Sequence, residues 1–256
     1  MTEQAKYIDV GQANVLNVDA DQYGNFIAFT NEKTVIANDY NIKIDLAIRF
    51  PIIRRLSTDK FLVADARTDS ANNGYIYSFS GQKISSFFLR DGIEDIIIHY
   101  DKIVVTYFDE GVLGDDGPNN DGVAVFDFSG NQLFGFNSAV NYGCILDCYC
   151  ICKHGDNSVL FYAYSDLKVY ELNLATFKFV IYDTPKDFSG TTAISSKKDK
   201  IYFHSSYDDK QSFFFWDTTK NQVIKFGNYS SNLRGIGNGK FIAHGEKGYI
   251  IIDPTE

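Results

Sequence analysis

Residues 52–89 read IIRRLSTDKFLVADARTDSANNGYIYSFSGQKISSFFL, and this segment shows the pattern from which the rest of the chain is built. Four runs of apolar, β-branched and aromatic residues lie in it, separated by segments rich in Gly, Asp, Asn or Ser. Runs of this kind, bounded by turn-forming residues, are typical of β-strands. The tetrapeptide Phe79-Ser80-Gly81-Gln82 suits a tight hairpin, in which Gly adopts a positive φ. The segment therefore predicts four consecutive antiparallel strands.

The same pattern recurs along the chain. A turn-forming residue followed by apolar β-formers begins at positions 24, 59, 101, 157, 199 and 239, so the starts are 35, 42, 56, 42 and 40 residues apart. A period of about 40 residues is typical of propeller blades. The hairpin sequence also returns one unit later as Phe128-Ser129-Gly130-Asn131, and no long helical period appears. The chain resembles β-propeller repeat proteins, which predicts an all-β, six-bladed β-propeller with four antiparallel strands per blade. Trp216-Asp217 occurs once, so no particular propeller family is indicated.

The two ends of the chain suggest how the ring closes. The last unit stops after its third strand, Gly248 to Asp253, and an unassigned strand lies at residues 5–10. We expect the N-terminal strand to complete the sixth blade, because this pairing would cover an open sheet edge. The chain is then a single domain of residues 1–256, with blades at approximately 12–52, 53–93, 94–141, 142–188, 189–231 and 232–256 plus 5–10.

Charge and composition limit the partners of the protein. The chain has 24 basic and 33 acidic residues, a net charge of −9, which disfavours direct binding to nucleic acid and favours a cationic protein partner. We find no apolar run of membrane-spanning length and no secretion signal, so we expect a cytoplasmic protein that does not bind membranes. Four cysteines crowd into residues 144–152 instead of spreading as a disulfide framework would, which also indicates a reducing compartment. We expect no cofactor.

The largest insertion, residues 108–121, follows the second strand of its blade. In an antiparallel blade this loop and the connection to the next blade open on the same face. Loops on a rigid scaffold usually carry function, so this face is the predicted partner-binding surface. The alternative is a set of solvated turns, since Asp, Asn and Gly are common in turns. The predicted contact residues are Asp69, Asp109, Glu110, Asp115, Asp116, Asp121, Tyr164, Tyr207, Asp208, Asp209 and Glu246.

Two sequence patterns that could bind metal are better explained by structural roles of their residues. Asp115, Asn119 and Asp121 alternate as in some calcium loops, but no bidentate acid follows at the required distance. Three cysteines also alternate along one predicted strand: Cys148, Cys150 and Cys152. This alternation would place their side chains on one face of the strand. Zinc sites favour Cys-x-x-Cys pairs, so we interpret these cysteines as small buried side chains. No metal site is predicted.

An enzymatic site is the alternative to a binding surface. The sequence contains no contiguous catalytic motif, but propeller enzymes assemble sites from separate blades around the central channel. Glu94, Asp95 and Asp147 lie near the starts of inner strands and would be the first residues to examine. The corresponding activity would be that of a metal-dependent hydrolase or lactonase. His204 and His244 share a repeat position with Phe, Ala and Tyr, which favours a packing role.

We therefore predict a non-catalytic protein-binding propeller; an adaptor with several partners is a further alternative. In its acidic, single-domain character the chain also resembles immunity proteins of contact-dependent growth inhibition systems. That resemblance implies a monomer that neutralises a cationic toxin, such as an RNase or DNase domain, in a 1:1 complex. Asp109, Asp115 and Asp208 would then meet basic residues of the toxin, and Tyr164 and Tyr207 would anchor the contact.

Overall fold

The computed structural model describes residues 1–21, 23–68, 70–139 and 143–255. In these residues 24 strands form six antiparallel sheets of four strands each, which confirms the predicted six-bladed β-propeller. The strands are β1 (Thr2–Tyr7), β2 (Val15–Ala20), β3 (Phe26–Thr30), β4 (Thr34–Ala37), β5 (Tyr40–Lys43), β6 (Pro51–Arg55), β7 (Lys60–Asp65), β8 (Gly74–Ser78), β9 (Lys83–Phe87), β10 (Ile93–His99), β11 (Lys102–Tyr107), β12 (Val123–Phe126), β13 (Gln132–Gly135), β14 (Cys148–His154), β15 (Ser158–Ala163), β16 (Lys168–Asn173), β17 (Phe179–Tyr182), β18 (Ala193–Lys197), β19 (Lys200–His204), β20 (Ser212–Asp217), β21 (Val223–Asn228), β22 (Arg234–Gly237), β23 (Lys240–Gly245) and β24 (Gly248–Asp253).

Each blade takes consecutive strands except the last. Blades 1 to 5 are β2–β5, β6–β9, β10–β13, β14–β17 and β18–β21, and blade 6 has the order β1-β24-β23-β22. The N-terminal strand therefore completes the sixth blade, as predicted, although it spans Thr2–Tyr7 instead of residues 5–10. Its register runs from Thr2 opposite Asp253 to Tyr7 opposite Gly248. All six of its residues are exposed, so the strand is held mainly by backbone hydrogen bonds, with a further hydrogen bond from Lys6 Nζ to the backbone oxygen of Gly24 at 2.9 Å.

The apolar residues of the sequence pack between blades. Six buried clusters join the neighbouring blades around the ring. Aromatic side chains dominate several of them, as between blades 3 and 4, where Phe136 contacts Phe161 and Tyr170 edge-on. The 22 Phe and 17 Tyr residues therefore have a structural role first. Gly81 and Gly130 both have a φ of 86°, as the two predicted hairpins require.

The strand order defines two faces of the ring. The insertion face carries the loops after the second strand of each blade and the connections between blades, including residues 108–122, 136–139 and 205–211. The opposite hairpin face carries the turns that join the first and second strands, such as residues 155–157 and 198–199. Three short helical elements lie on the insertion face: α1 (Asp109–Val112), a 3₁₀ helix (Pro118–Asp121) and α2 (Phe136–Ala139). No helix in the described part of the chain is long and apolar enough to span a membrane.

The cysteines of β14 do not share one face, contrary to the expectation from their alternation. A β-bulge lies between Cys148 and Cys150 and changes the period of the strand. Cys148 consequently packs between blades 3 and 4, whereas Cys150 and Cys152 pack between blades 4 and 5. All three are buried and contribute to the apolar clusters.

Candidate functional site at the two mouths of the central channel

Three charged side chains occupy the same register position on the inner strands of blades 1, 2 and 6. Asp19, Arg54 and Arg234 lie opposite the second apolar residue of the next strand, respectively Ile27, Leu62 and Ile242. Arg234 pairs with Asp19 at 2.7 Å, and Arg54 pairs with Asp95 of blade 3 at 2.5 Å. Two ion pairs thus cross between blades around the channel axis.

These pairs are firmly held. The Arg54 side chain is 3% exposed and also donates hydrogen bonds to the backbone oxygens of Ile53 and Ile96 and to the side-chain oxygen of Asn17. Burial would raise the pKa of Asp19, but the guanidinium groups of Arg234 and Arg54 outweigh it and lower that pKa. The charged form of the network is therefore the stable one.

The two arginines divide the channel into two cavities. One cavity, of about 470 Å³, opens on the hairpin face, and the other, of about 160 Å³, lies toward the insertion face. Arg54 and Arg234 line both cavities. Gly235 also lines both, and a Cβ there would lie 1.7 Å from the backbone oxygen of Ile194. The inner strands of blades 5 and 6 can approach this closely because residue 235 has no side chain.

The mouth on the insertion face is acidic. Burial, followed by the charges of Asp95 and Asp147, raises the pKa of Glu94 to about 7. Burial, followed by the charge of Asp109, raises the pKa of Asp147 to about 6. Among the described residues, neither Glu94 nor Asp147 forms an ion pair, and Oδ1 of Asp147 is buried with no hydrogen-bond partner. Carboxylates in this condition are poised to accept a proton or a cation.

Three tyrosines lie beside these carboxylates. The hydroxyl groups of Tyr149 and Tyr207 are 2.7 Å apart, and the ring centroids of Tyr149 and Tyr164 are 5.3 Å apart. Tyr164 is 50% exposed and Tyr207 43%. Lys210 lies over the Tyr207 ring, 5.3 Å from its centroid, so this ring already carries one cation–π contact. Glu94, Tyr149, Tyr207 and Lys210 share a small cavity of about 130 Å³.

The carboxylates predicted for partner contact differ in whether they form ion pairs within the chain. Four are exposed and form no ion pair with a described residue: Asp109, Asp116, Asp208 and Glu246. Three others are paired within the chain: Glu110 with Arg67 at 2.7 Å, Asp115 with Arg90 at 3.8 Å, and Asp209 with Lys225. Hydrogen bonds from Lys225 and Ser212 also lower the pKa of Asp209. Asp69 lies outside the described residues.

Asp121 has a structural role. It is 4% exposed, and its carboxylate accepts hydrogen bonds from the Gln132 side chain at 2.6 Å and from the backbone N–H and hydroxyl of Ser138 at 2.9 and 2.5 Å. It therefore holds the start of α2 to the 3₁₀ helix and is not available on the surface. The calcium-like pattern fails for the same reason, because Asn119 also turns inward and donates to the backbone oxygens of Gly111 and Asp115.

Reasoning from sequence found part of this site and missed part. Glu94 and Asp147 do meet at one mouth of the channel, whereas Asp95 pairs with Arg54. The sequence pattern does not single out four other residues of the site: Asp19, Arg54, Arg234 and Tyr149. A signal for the first three existed, since each is a charge within or beside an apolar inner strand.

Metal and histidine chemistry receives little support from the described residues. Within them, no group of three or more His, Cys, Asp or Glu side chains is placed to hold a metal ion. His204 is buried, its ring lies tilted with its centroid 4.9 Å from that of Phe213, and its Nε2 atom is 2.9 Å from the backbone oxygen of Tyr229. His244 is exposed at the equivalent position. The two histidines do not form a common site.

Comparison with known proteins gives the class of the protein through its fold. No protein-family model and no curated protein sequence matches the chain. Among solved structures, a streptogramin B lyase is similar with a TM-score of 0.58 at 12% identity, covering 98% of this chain and 96% of that one. A catalytically inactive virginiamycin B lyase from Staphylococcus aureus with quinupristin has a TM-score of 0.55 at 11% identity and 98% coverage of both chains. Kluyveromyces lactis Hsv2 has a TM-score of 0.58 at 13% identity, covering 91% of this chain and 72% of that one. At such identities the likeness shows the fold alone: the chain is a β-propeller, a fold that serves many functions.

Proposed function

We propose that the protein is a non-catalytic, protein-binding propeller that captures a cationic partner at the insertion-face mouth of its channel. The observation that carries this proposal is the contact of Tyr149 with Tyr164 and Tyr207 beside the unpaired carboxylates of Glu94 and Asp147. Tyrosine clusters at the centre of a polar surface are common anchors of protein interfaces.

The electrostatics of the mouth favour a lysine or arginine from the partner. Glu94 and Asp147 have raised pKa values because they are partly desolvated among like charges. A cation between them would offset that repulsion, and the faces of Tyr164 and Tyr207 would stabilise it further. Capture of the cation would release protons near pH 6 to 7, so affinity should rise with pH across that range.

The wider surface would guide the partner to this mouth. Asp109, Asp116 and Asp208 are exposed on the same face, and the chain carries a net charge of −9. Charges of this kind act mainly on the rate of association. Within this class of partner, a cationic interbacterial toxin with an RNase or DNase domain, neutralised in the cytoplasm as a 1:1 complex, is the specific case that we propose.

The proposal is tested by recovering the partner and removing its anchors. The tagged protein is purified from its native host at low and at moderate salt, and bound proteins are identified by mass spectrometry. The double variant Tyr149→Ala/Tyr207→Ala should bind the recovered protein at least about 30-fold more weakly, as loss of a hot spot implies. Tyr23→Ala is the matched control, because Tyr23 is 81% exposed on the hairpin face. Equal affinities of the wild-type protein and the double variant would refute this binding mode. A recovered protein that is basic and toxic when expressed alone would support the immunity role.

An acid–base enzyme is the second candidate. It is favoured by the raised pKa of Glu94, about 7, which suits a general acid or base at neutral pH. The metal-dependent form of this alternative does not fit the donor set, because the described residues bring no three metal ligands together. Screening ester and lactone substrates separates the candidates: turnover that is abolished in Glu94→Gln and unchanged by a chelator would favour the enzyme.

A further inference from the structure

We propose that the hairpin-face mouth of the channel is a binding site for a small organic phosphate. The cavity there has a volume of about 470 Å³, which lies within the usual range for small-molecule sites. It is at the opposite end of the channel from the acidic mouth, and the network of Arg54 and Arg234 separates the two.

The cavity is cationic although the chain as a whole is acidic. Five basic side chains and three carboxylates line it, whereas the chain carries a net charge of −9. The basic residues are Arg54, Lys153, Lys197, Lys198 and Arg234. They come from blades 2, 4, 5 and 6, so their charges surround the channel axis. A ligand on the axis would be reached from several sides at once.

Among the described residues, no carboxylate of the cavity forms an ion pair with its lysines, although the charge of Lys153 helps to lower the pKa of Asp19. Asp19 is paired with Arg234, and Asp21 accepts hydrogen bonds from the backbone N–H groups of Tyr23 and Asn25. Asp156 is exposed at the rim.

Within the described chain, the three lysines of the cavity have no carboxylate partner. Among the described residues, Lys153, Lys197 and Lys198 form no ion pair within 4 Å, and Lys197 donates a hydrogen bond to the Thr255 hydroxyl at 3.1 Å. Ammonium groups that form no ion pair can donate hydrogen bonds to the oxygens of an anion.

Neutral polar groups complete the cavity. His99 lines it, and its Nε2 atom is buried with no hydrogen-bond partner in the described chain. Burial, followed by the charge of Lys153, lowers the pKa of His99 and favours its neutral form, although backbone hydrogen bonds with Gly155 and His154 act in the opposite direction. Tyr23 lies at the rim, 81% exposed, and offers a ring to the uncharged part of a ligand. Ammonium donors around the axis and a rim aromatic suit a phosphate carried on a small organic group.

A long polyanion is a poor occupant of this cavity. Binding of nucleic acid depends on an extended basic surface, whereas these charges lie inside a closed ring of acidic net charge. The concave shape limits entry to a ligand of roughly nucleotide size.

The site is tested by calorimetric titration of the whole protein at low salt. The probes are pyrophosphate, ribose 5-phosphate, ADP and, as an uncharged control, adenosine. We expect the phosphates to bind and adenosine not to bind. Lys153→Gln/Lys198→Gln should weaken phosphate binding by about tenfold for each lysine removed. Lys43→Gln/Lys83→Gln, an exposed change of equal charge on the outer strands of blades 1 and 2, should leave it unchanged.

Each outcome is decisive for the site. ADP binding that is tighter than pyrophosphate binding and is reduced by Tyr23→Ala would place the base at the rim. Failure of all three phosphates to bind, or equal binding by the wild-type protein and Lys153→Gln/Lys198→Gln, would overturn the proposal. An equal loss in Lys43→Gln/Lys83→Gln would also overturn it, because the effect would then belong to overall charge. Circular dichroism and thermal unfolding confirm that each variant is folded.

Discussion

The guanidinium group of Arg54 in blade 2 lies 2.5 Å from the carboxylate of Asp95 in blade 3, and both side chains are nearly excluded from solvent. Desolvating two charges costs several kcal/mol, which their attraction offsets when the geometry is good and further hydrogen bonds are made. Arg54 makes such bonds to the backbone of both blades, through the oxygens of Ile53 and Ile96. The pair therefore links two blades at the channel.

Removal of one partner from this pair should be strongly destabilising. We expect Arg54→Met to lower the free energy of unfolding by about 3–5 kcal/mol, because it leaves the Asp95 carboxylate buried without its cation. Urea denaturation followed by circular dichroism measures the change. The double variant Arg54→Met/Asp95→Leu should recover most of the loss. If the loss of unfolding free energy in the double variant equals the sum of the losses in Arg54→Met and Asp95→Leu, the two residues are not coupled.

The N-terminal strand should lock the ring. Deleting residues 2–7 removes the pairing of β1 with β24, and each lost ladder hydrogen bond costs about 1 kcal/mol. The deletion also exposes the edge of β24, on which a second molecule can pair. We expect a lower melting temperature and a concentration-dependent dimer in size-exclusion chromatography. Replacing Thr2, Glu3, Gln4 and Tyr7 with alanine should preserve the ring, because their side chains are exposed. Loss of stability in the alanine variant equal to that of the deletion would contradict the backbone explanation.

Glu94 should make the protein less stable as pH rises. Its folded pKa, about 7, lies above the ordinary value of 4.5, so the folded state binds the extra proton between these values. The stability linked to this proton is fully present below pH 4.5 and is lost as pH rises through 7. Glu94→Gln should increase the free energy of unfolding at pH 8 by about 1 kcal/mol, a value reduced by solvent at the exposed mouth. Urea denaturation at pH 5 and pH 8 tests this, with Glu246→Gln as an exposed control. An identical gain at both pH values would exclude the titration of Glu94 as its cause.

The fold was predictable because blade-forming signals are local and repeated. The second strand of a blade begins one residue after positions 59, 101, 157, 199 and 239 and two residues after position 24, and Gly81 and Gly130 have the positive φ that the hairpins need. The pairing of β1 with β24 followed from counting strands in the last unit. The bulge between Cys148 and Cys150 was not predictable, because the alternation of cysteines carries no mark of an inserted residue.

The site was less predictable because it depends on which side chains meet across the ring. Carboxylates of the long insertion look alike in sequence, yet Asp121 is buried against Ser138 whereas Asp116 is exposed. Arg54 and Asp95 lie 41 residues apart, and Tyr149 and Tyr207 lie 58 apart. Such contacts arise from closure of the ring, which brings together residues that no spacing rule connects.

Asp121 should act on stability and not on binding. Asp121→Asn replaces a carboxylate that accepts three hydrogen bonds with an amide that cannot accept all of them. We expect a loss of about 1–3 kcal/mol in the free energy of unfolding, measured by urea denaturation. Gly135→Ala should have a similar effect, since its Cβ would lie 1.9 Å from Oδ2 of Asp121. Wild-type stability in both variants would show that α2 is held by other contacts.

Exposed carboxylates of the insertion face should set how fast a cationic partner arrives. The variant Asp109→Asn/Asp116→Asn/Asp208→Asn removes three charges that form no ion pair with a described residue. We expect the association rate with the recovered partner to fall by roughly three- to tenfold at low salt, with little change in the dissociation rate, because rim charges steer the encounter more than they hold the complex. Stopped-flow measurements at about 0.01 M and about 0.15 M ionic strength test this, and the difference should shrink at the higher value as screening increases. Asp39→Asn/Asp101→Asn/Asp199→Asn, an equal charge change on exposed turns of the opposite face, is the matched control. An equal drop in both triple variants would assign the steering to net charge, and an unchanged rate in the first would remove these three carboxylates from the binding surface.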